Sequence, residues 1–479
     1  MQARVLARIF AEDTRKWFTL AAVSFGLFMI MLDNTVVNVA LPSIQRDLGA
    51  DLSELQWIVT GYALTFAALL LVGGKVADAY GRRRIFVLGI VVFTVASLLC
   101  GLADSSEMLI GARVLQGAGA ALMNPATLSI IAATFPPAQR GAAIGIWAGV
   151  SALALAIGPL VGGLLTEHLD WSWIFFINVP IGILGIAASY LFIDESRDET
   201  HERLDLPGLA TSAIGLFALT YGLIEANTYG WTSTRILGSF LVAAVALVGF
   251  VLLERHQRAP MLQLDLFRNR TYTGANITML LVALAMFGVF FFVSLYMQNI
   301  LGYSPVEAGA AFLPMTLLII LVAPLAGRTS DRLGSRGLMT AGMLLISVQL
   351  LLFSRLGADA SYWHLLPALL VGGVGMALTM TPSAAAATRA VPVDKAGVGS
   401  AVLNSARQVG GTMGIAVMGA IVAAQMGGVR SVETFMDGFD TALLVAAGIA
   451  LLGALVAFVL VRPHEEAGPI DRRAPEPAA

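Results

Sequence analysis

Fourteen apolar segments recur along this chain, roughly 17–41, 54–78, 84–103, 107–131, 139–166, 172–193, 206–226, 235–253, 271–300, 306–327, 337–356, 361–388, 397–425 and 438–461. About 20 apolar residues in a helix cross the hydrocarbon core, and a spanning segment must satisfy its backbone hydrogen bonds internally. With 57% hydrophobic and 13% charged residues, the predicted fold class is an all-α membrane protein with 14 transmembrane helices. The first segment is too long and too uncapped for a cleaved signal peptide. Cys100 is the single cysteine, so no intrachain disulfide forms, and its plain reading is a small core residue. A net charge of −2 gives no sign of a nucleic-acid partner.

Charge asymmetry sets the expected orientation. With the N-terminus inside, Arg4, Arg8, Arg15, Lys16, the Arg82–Arg84 cluster and Arg140 fall on the cytoplasmic side. So do Arg255, Arg258, Arg268, Arg270, Arg328, Arg332, Arg336, Arg389 and Lys395, while only Arg46, Arg235, Arg355 and Arg430 fall outside. The positive-inside rule then puts both termini in the cytoplasm, which requires an even helix count. Residues 462–479, rich in Pro, Glu and Ala, read as a disordered cytoplasmic tail.

An internal repeat divides the chain. Gly74, Asp78 and Gly81 follow the second span, and Gly327, Asp331 and Gly334 follow the tenth with identical spacing, 253 residues later. That offset carries Trp17 onto Arg270, where the ninth span begins. Two pseudo-symmetric six-helix bundles are predicted, 1–193 and 271–461, with two inserted helices and their cytoplasmic linkers at 194–270.

Asp33 is the most telling single residue, an ionisable group inside the first span. It needs a partner or a watery cavity, because hydrocarbon does not hold a bare charge. Arg113 lies at a matching depth in span four, each about eight residues, or roughly 12 Å, from the outer edge. A guanidinium favours the charged carboxylate and burial opposes it, so the pair is a candidate proton switch. The competing reading is a static ion pair that fixes helix packing. Gly81 permits the turn after span two, and Asp78, Arg82 and Arg83 are candidates for a latch at the cytoplasmic face, repeated at Asp331 and Arg332; charge that merely sets topology is the alternative. Gly158, Pro159, Gly162 and Gly163 give span five pliability and close packing.

These residues carry a family resemblance. The loop Gly74–Arg84 resembles the signature between helices two and three of the major facilitator superfamily, and Arg113–Ala121 (RVLQGAGAA) resembles its fourth-helix motif. Gly158–Gly163 (GPLVGG) is similar to the fifth-helix motif that marks antiporters. Leu32–Pro42 (LDNTVVNVALP), Trp173–Pro180 (WIFFINVP) and Asn404–Gly411 (NSARQVGG) are similar to motifs of the fourteen-helix drug:proton antiporter branch. Ser172 departs from the Arg common between the two tryptophans, so the salt bridge implied at that extracellular edge is missing from the pattern. The resemblance implies a proton-coupled multidrug efflux transporter of the bacterial cytoplasmic membrane, working by alternating access.

On that reading the spans bordering the cleft supply polar and aromatic walls. Asn34, Asn38, Gln56, Tyr62, Gln116 and Asn124 are the candidates in the first half, with Trp147 on span five. Asn276, Phe287, Tyr296, Gln298 and Asn404 are those in the second. Helix packing competes as the explanation of each. Arg407 and Gln408 could be interhelical polar glue, Glu225 an interfacial group and Glu307 a favourable helix N-terminal charge. Scattered histidines offer no metal spacing, and no phosphate loop or nucleophile elbow is present, so neither an enzyme nor an ATP-driven pump is expected. Expected partners are the bilayer, protons and a lipophilic small molecule, with a monomeric protein and no cofactor. Import by proton symport and a ligand sensor without turnover stay open at this stage.

Overall fold

The computed structural model describes residues 12–197, 205–257, 260, 262–392, 396–427 and 431–462. The predicted tail beyond Arg462, most of the acidic linker, and Arg4, Arg8, Arg258, Lys395 and Arg430 of the topology argument lie outside them. Among the described residues there is no strand. The first half comprises α1 (Glu12–Leu48), α2 (Leu52–Tyr80), α3 (Arg82–Gly101), α4 (Ser106–Thr134), α5 (Pro137–His168) and α6 (Trp173–Phe192). The inserted pair is α7 (Leu206–Tyr229) and α8 (Thr234–His256). The second half is α9 (Arg270–Ile300), α10 (Pro305–Leu333), α11 (Ser335–Phe353), α12 (Tyr362–Arg389), α13 (Ala396–Met426) and α14 (Val432–Leu460). Thirteen are long and apolar enough to cross a membrane as they stand, and α2 makes the fourteenth span with a 53° bend between Leu70 and Val72.

Local chemistry explains where the helices start and break. Asp51 closes a capping box with Glu54 at the start of α2, and Ser304 does the same with Glu307 at the start of α10, each satisfying N–H groups that a helix end would orphan. Glu307 therefore serves as the cap that its position suggested. Pro180 and Pro314 have no N–H to return to the preceding turn, and α6 and α10 are each interrupted just before them. Gly81 (φ +112°) and Gly334 (φ +83°) hold the two repeat turns in a region that side chains disfavour.

The packing repeats as the sequence does. Contacts of α2 with α4, α3 with α4, α1 with α5, α1 with α6 and α3 with α6 recur as α10 with α12, α11 with α12, α9 with α13, α9 with α14 and α11 with α14. The inserted α7 and α8 pack on each other, and α7 lies against both α2 and α13. Trp57 Nε1 donates to Glu225 at 3.0 Å, and Asn227 Nδ2 donates to the Ala420 carbonyl at 2.8 Å, so α7 holds one helix of each half. Glu225 is thus spent on the junction of inserted and first-half helices.

The halves meet at the face opposite the arginine-rich one. Among the described residues, the hydrogen bonds that join them are Gln56 Nε2 to Ile415 O (2.8 Å), Gln298 Nε2 to Val39 O (2.8 Å), Asn299 to Gln45 (3.4 Å) and Val306 N to Glu167 Oε2 (2.9 Å). Backbones also touch there. A side chain on Gly163 would overlap the Pro305 carbonyl, and one on Gly309 would overlap the Pro159 carbonyl, so α5 and α10 approach through reciprocal glycines. Toward the arginine-rich face α5 loses such neighbours: Gly141, Gly145 and Gly149 have open space beside them, where Gly158, Gly162 and Gly163 are in close contact. The protein is therefore sealed at one face and parted toward the other. In a Cys100→Ser background, Gln45→Cys with Asn299→Cys is expected to cross-link on mild oxidation. Adding Gly163→Leu should lower that yield sharply, as read by the gel shift of a chain nicked between the halves.

Candidate functional site

The centre of the first half is a buried polar knot. Asp33 and Arg113, 0% and 1% exposed, meet with Arg113 Nη1 at 2.5 Å from Asp33 Oδ2. The same Nη1 donates to Gln116 Oε1 at 2.6 Å, and Nε donates to the Ile58 carbonyl of α2 at 3.0 Å. Gln116 Nε2 donates to the other carboxylate oxygen, Oδ1, at 2.9 Å and to Ser97 Oγ of α3 at 2.8 Å. Tyr62 lays its ring 4.3 Å from the Arg113 guanidinium carbon, and the Phe175 ring of α6 lies 5.7 Å away. Five helices, α1, α2, α3, α4 and α6, converge on one charge pair.

The spacing that brings them together is local. Arg113 and Gln116 are one turn apart on α4 and so share a face. Helix α1 runs to Leu48, several residues past the predicted 41, so Asp33 sits deeper from its helix end than estimated, yet still opposite Arg113. The pair as a unit is neutral. Protonating Asp33 in place would leave Arg113 buried without a counter-charge, which is strongly unfavourable, so proton uptake there demands that the knot open. Sequence reading placed Gln116 among the cavity walls; here it is the third member of the knot. Ser97, the Ile58 carbonyl and Phe175 were not anticipated, because nothing in a single sequence marks a hydroxyl or a carbonyl as a partner.

The remaining candidates are dispersed. Asn34 and Asn38 are half-buried on α1 and donate to carbonyls one turn back, Ile30 and Asn34. Asn124 is buried on α4 beside Thr127, whose hydroxyl accepts from Trp147 Nε1 of α5 at 3.0 Å. Asn276 and Asn404 likewise donate to their own helices, and Phe287 packs where Gly411 leaves room. Gln56 and Gln298 lie in the seam between the halves. Tyr296 is fully buried and donates to the Gly357 carbonyl at 2.6 Å, tying α9 to a surface loop. That hydroxyl is committed to holding the fold.

At the arginine-rich face each half carries its own clasp. Asp78 accepts from Arg82 Nε at 2.7 Å, within one turn of chain. Glu195, after α6, accepts the backbone N–H groups of Arg83 and Arg84 at 3.1 and 3.2 Å, so it is Glu195 that stabilises the start of α3. Arg83 also donates to the Ile193 carbonyl. In the second half Asp331 is held by Arg389 of α12 at 3.0 Å, which also reaches Ser330 and Ser335, while Arg332 is exposed. Tight helix approach falls at Gly73, where a side chain would overlap the Ala121 carbonyl, and less at Gly74, which clears Pro125 by 3.4 Å. On α5, a side chain at Gly158 would strike Thr35 and one at Gly162 would come within 2.7 Å of the Val36 carbonyl, so this motif packs α5 onto α1 next to Asp33.

Two repeated six-helix halves, one of them built around a buried charge pair, make the arrangement of a transporter, and the comparisons agree. The model of the Major Facilitator Superfamily matches residues 23–415 and again 275–478, and the chain belongs to that superfamily, hence to transporters rather than enzymes. It is 39% identical over 469 residues to the puromycin resistance protein pur8 of Streptomyces alboniger, covering 95% of this chain and 93% of the relative. It is also 39% identical over 440 residues to the tetracenomycin C resistance and export protein of Streptomyces glaucescens, covering 91% and 80%. Among solved structures, a bacterial homolog of the human lysosomal transporter Spinster, inward-facing and unoccupied, aligns with a TM-score of 0.66 at 16% identity, covering 94% of this chain and 97% of that one. A likeness at that identity speaks to the fold.

Removing one partner of the knot is expected to cost more than removing both. Arg113→Met should destabilise by about 3–5 kcal/mol by stranding Asp33, and Asp33→Leu with Arg113→Met should recover part of that loss. Thermal unfolding of the detergent-solubilised variants reads the order.

Proposed function

We propose that this protein exports lipophilic antibiotics or related small molecules across the bacterial cytoplasmic membrane in exchange for protons, with both termini cytoplasmic and a monomer as the working unit. The observation that carries the reading is the Asp33–Arg113–Gln116 knot, a titratable carboxylate that gains a proton only if its guanidinium partner is released. Relatives that span nearly the whole chain and are named for resistance and export support the cargo class. The arginine-rich face, taken as cytoplasmic by the positive-inside rule, is the one toward which the halves are parted. The structure then corresponds to the state that collects cargo from the cell.

In the cycle we infer, cargo enters the cleft from the cytoplasm, and the halves rock about the glycine contacts of α5 and α10. After outward release Asp33 takes a proton, Arg113 turns to its remaining acceptors, Ile58 O and Gln116, and the return step delivers the proton inside. The clasps Asp78–Arg82, Glu195–Arg83 and Asp331–Arg389 keep each half rigid while the seam between them changes. One proton supplies about 2.3 kcal/mol per 100 mV and about 1.4 kcal/mol per pH unit, enough for roughly a hundredfold gradient of a neutral cargo.

Proteoliposomes with an imposed pH gradient test this. Substrate-triggered proton movement is expected in the wild type, and uphill transport is expected to vanish in Asp33→Asn while gradient-free exchange of cargo persists. Uphill export surviving in Asp33→Asn, or accumulation of cargo in the direction of proton flow, would sink the assignment.

A further inference from the structure

The second half holds a positive charge that nothing answers. Among the described residues Arg407 of α13 makes no hydrogen bond or ion pair, its Nε is buried without an acceptor, and no carboxylate bears on it. Its neighbour Gln408 is 2% exposed and its Nε2 is also buried without an acceptor. Two adjacent side chains, about 100° apart around α13, thus hold donors without acceptors.

Their location follows from the packing of α13. Gly410 and Gly414 back onto the Leu280 and Leu284 backbone of α9, while Ile415 and Gly419 face Gln56 of α2. At about 100° per residue, Arg407 projects into the sector between those two directions, toward the cleft between the halves. It lies about 12 Å from Ile415 along the helix, on the arginine-rich side of the seam. The neutral Asn276 stands at that level of α9 with its Oδ1 unpaired. An amide oxygen can accept a hydrogen bond but cannot cancel a charge. The Asp33–Arg113 unit is neutral overall and sealed in the first half, so it offers Arg407 no net counter-charge.

A guanidinium kept in a membrane span without a counter-ion is costly, and such a group marks a pathway or a ligand. We infer that Arg407, with Gln408 beside it, is a subsite for an anionic group on the transported molecule, a carboxylate or other deprotonated acid carried on a lipophilic body. The inference deepens the export reading and rests on it for the word cargo. It gives the resemblance motif Asn404–Gly411 a task distinct from packing: its glycines seat α13 on α9, and its Arg-Gln pair reads charge. Amphiphilic acids are then favoured over their esters, and quaternary cations are disfavoured.

Binding separates this claim from transport. Purified protein in phosphatidylcholine nanodiscs is titrated with dansyl-labelled undecanoic acid and with its methyl ester, at a pH where the acid is ionised, with fluorescence as the readout. The acid is expected to bind about tenfold more tightly than the ester, the value of a charge-assisted hydrogen bond. Arg407→Gln should erase that preference while leaving ester binding intact, which also certifies the fold, and Arg407→Lys should keep part of it. A wild type that does not discriminate, or an Arg407→Gln variant that still does, overturns the subsite. Loss of the preference when phosphatidylglycerol replaces part of the lipid would assign the site to a lipid phosphate and overturn the reading as a cargo site. Asp33→Asn is expected to retain the acid preference, so a failed export assay beside intact discrimination strikes the proposed function and leaves the subsite standing.

Discussion

A guanidinium and a carboxylate sealed inside five helices impose the main constraint on this molecule. Each arm of the knot fixes a different element: Asp33 holds α1, the Arg113–Ile58 bond holds α2, the Gln116–Ser97 bond holds α3, and Tyr62 and Phe175 close the faces. Replacing such a buried pair by apolar side chains is often neutral or stabilising in proteins, so stability alone does not explain keeping one. On the proposed function, what the pair offers that a leucine cannot is two arrangements, one with the carboxylate ionised and clasped, the other with it protonated and released.

The glycines make the change of shape feasible. Along α5 one run of small residues serves two neighbours at once, Gly158 and Gly162 against α1 of the same half and Gly163 against α10 of the other. Movement at the seam is therefore mechanically adjacent to the helix that carries Asp33. The inserted α7 adds a second tie across the same seam through Trp57 and Asn227, so the extra hairpin takes part in the closure of that face.

Most of the architecture was legible in the sequence because membrane helices announce themselves by length and hydropathy, and because the Gly-Asp-Gly repeat fixes the offset between the halves. The meeting of Asp33 with Arg113 was legible as well, since two ionisable residues at one depth have few other choices. Less was readable where the chemistry belongs to the backbone. Val39 O and Ile415 O accept hydrogen bonds from Gln298 and Gln56, side chains that the sequence assigns to a cavity, Ile58 O accepts from Arg113, and a carbonyl has no letter in the alphabet. Arg389 escaped notice as the partner of Asp331 because it lies outside the repeat. Gly73, one residue before the motif position, makes the tighter contact because it faces the Ala121 backbone of α4, whereas Gly74 meets only the Pro125 side chain of the same helix.

The coupling of proton and cargo at the knot is tested most directly by counting protons on binding. Purified protein in weakly buffered solution, mixed with a transported compound in the presence of a soluble pH dye, is predicted to release protons at a pH where Asp33 is partly protonated, and Asp33→Asn to release none. Equal release from the two proteins, or none from the wild type while the compound demonstrably binds, would contradict the account.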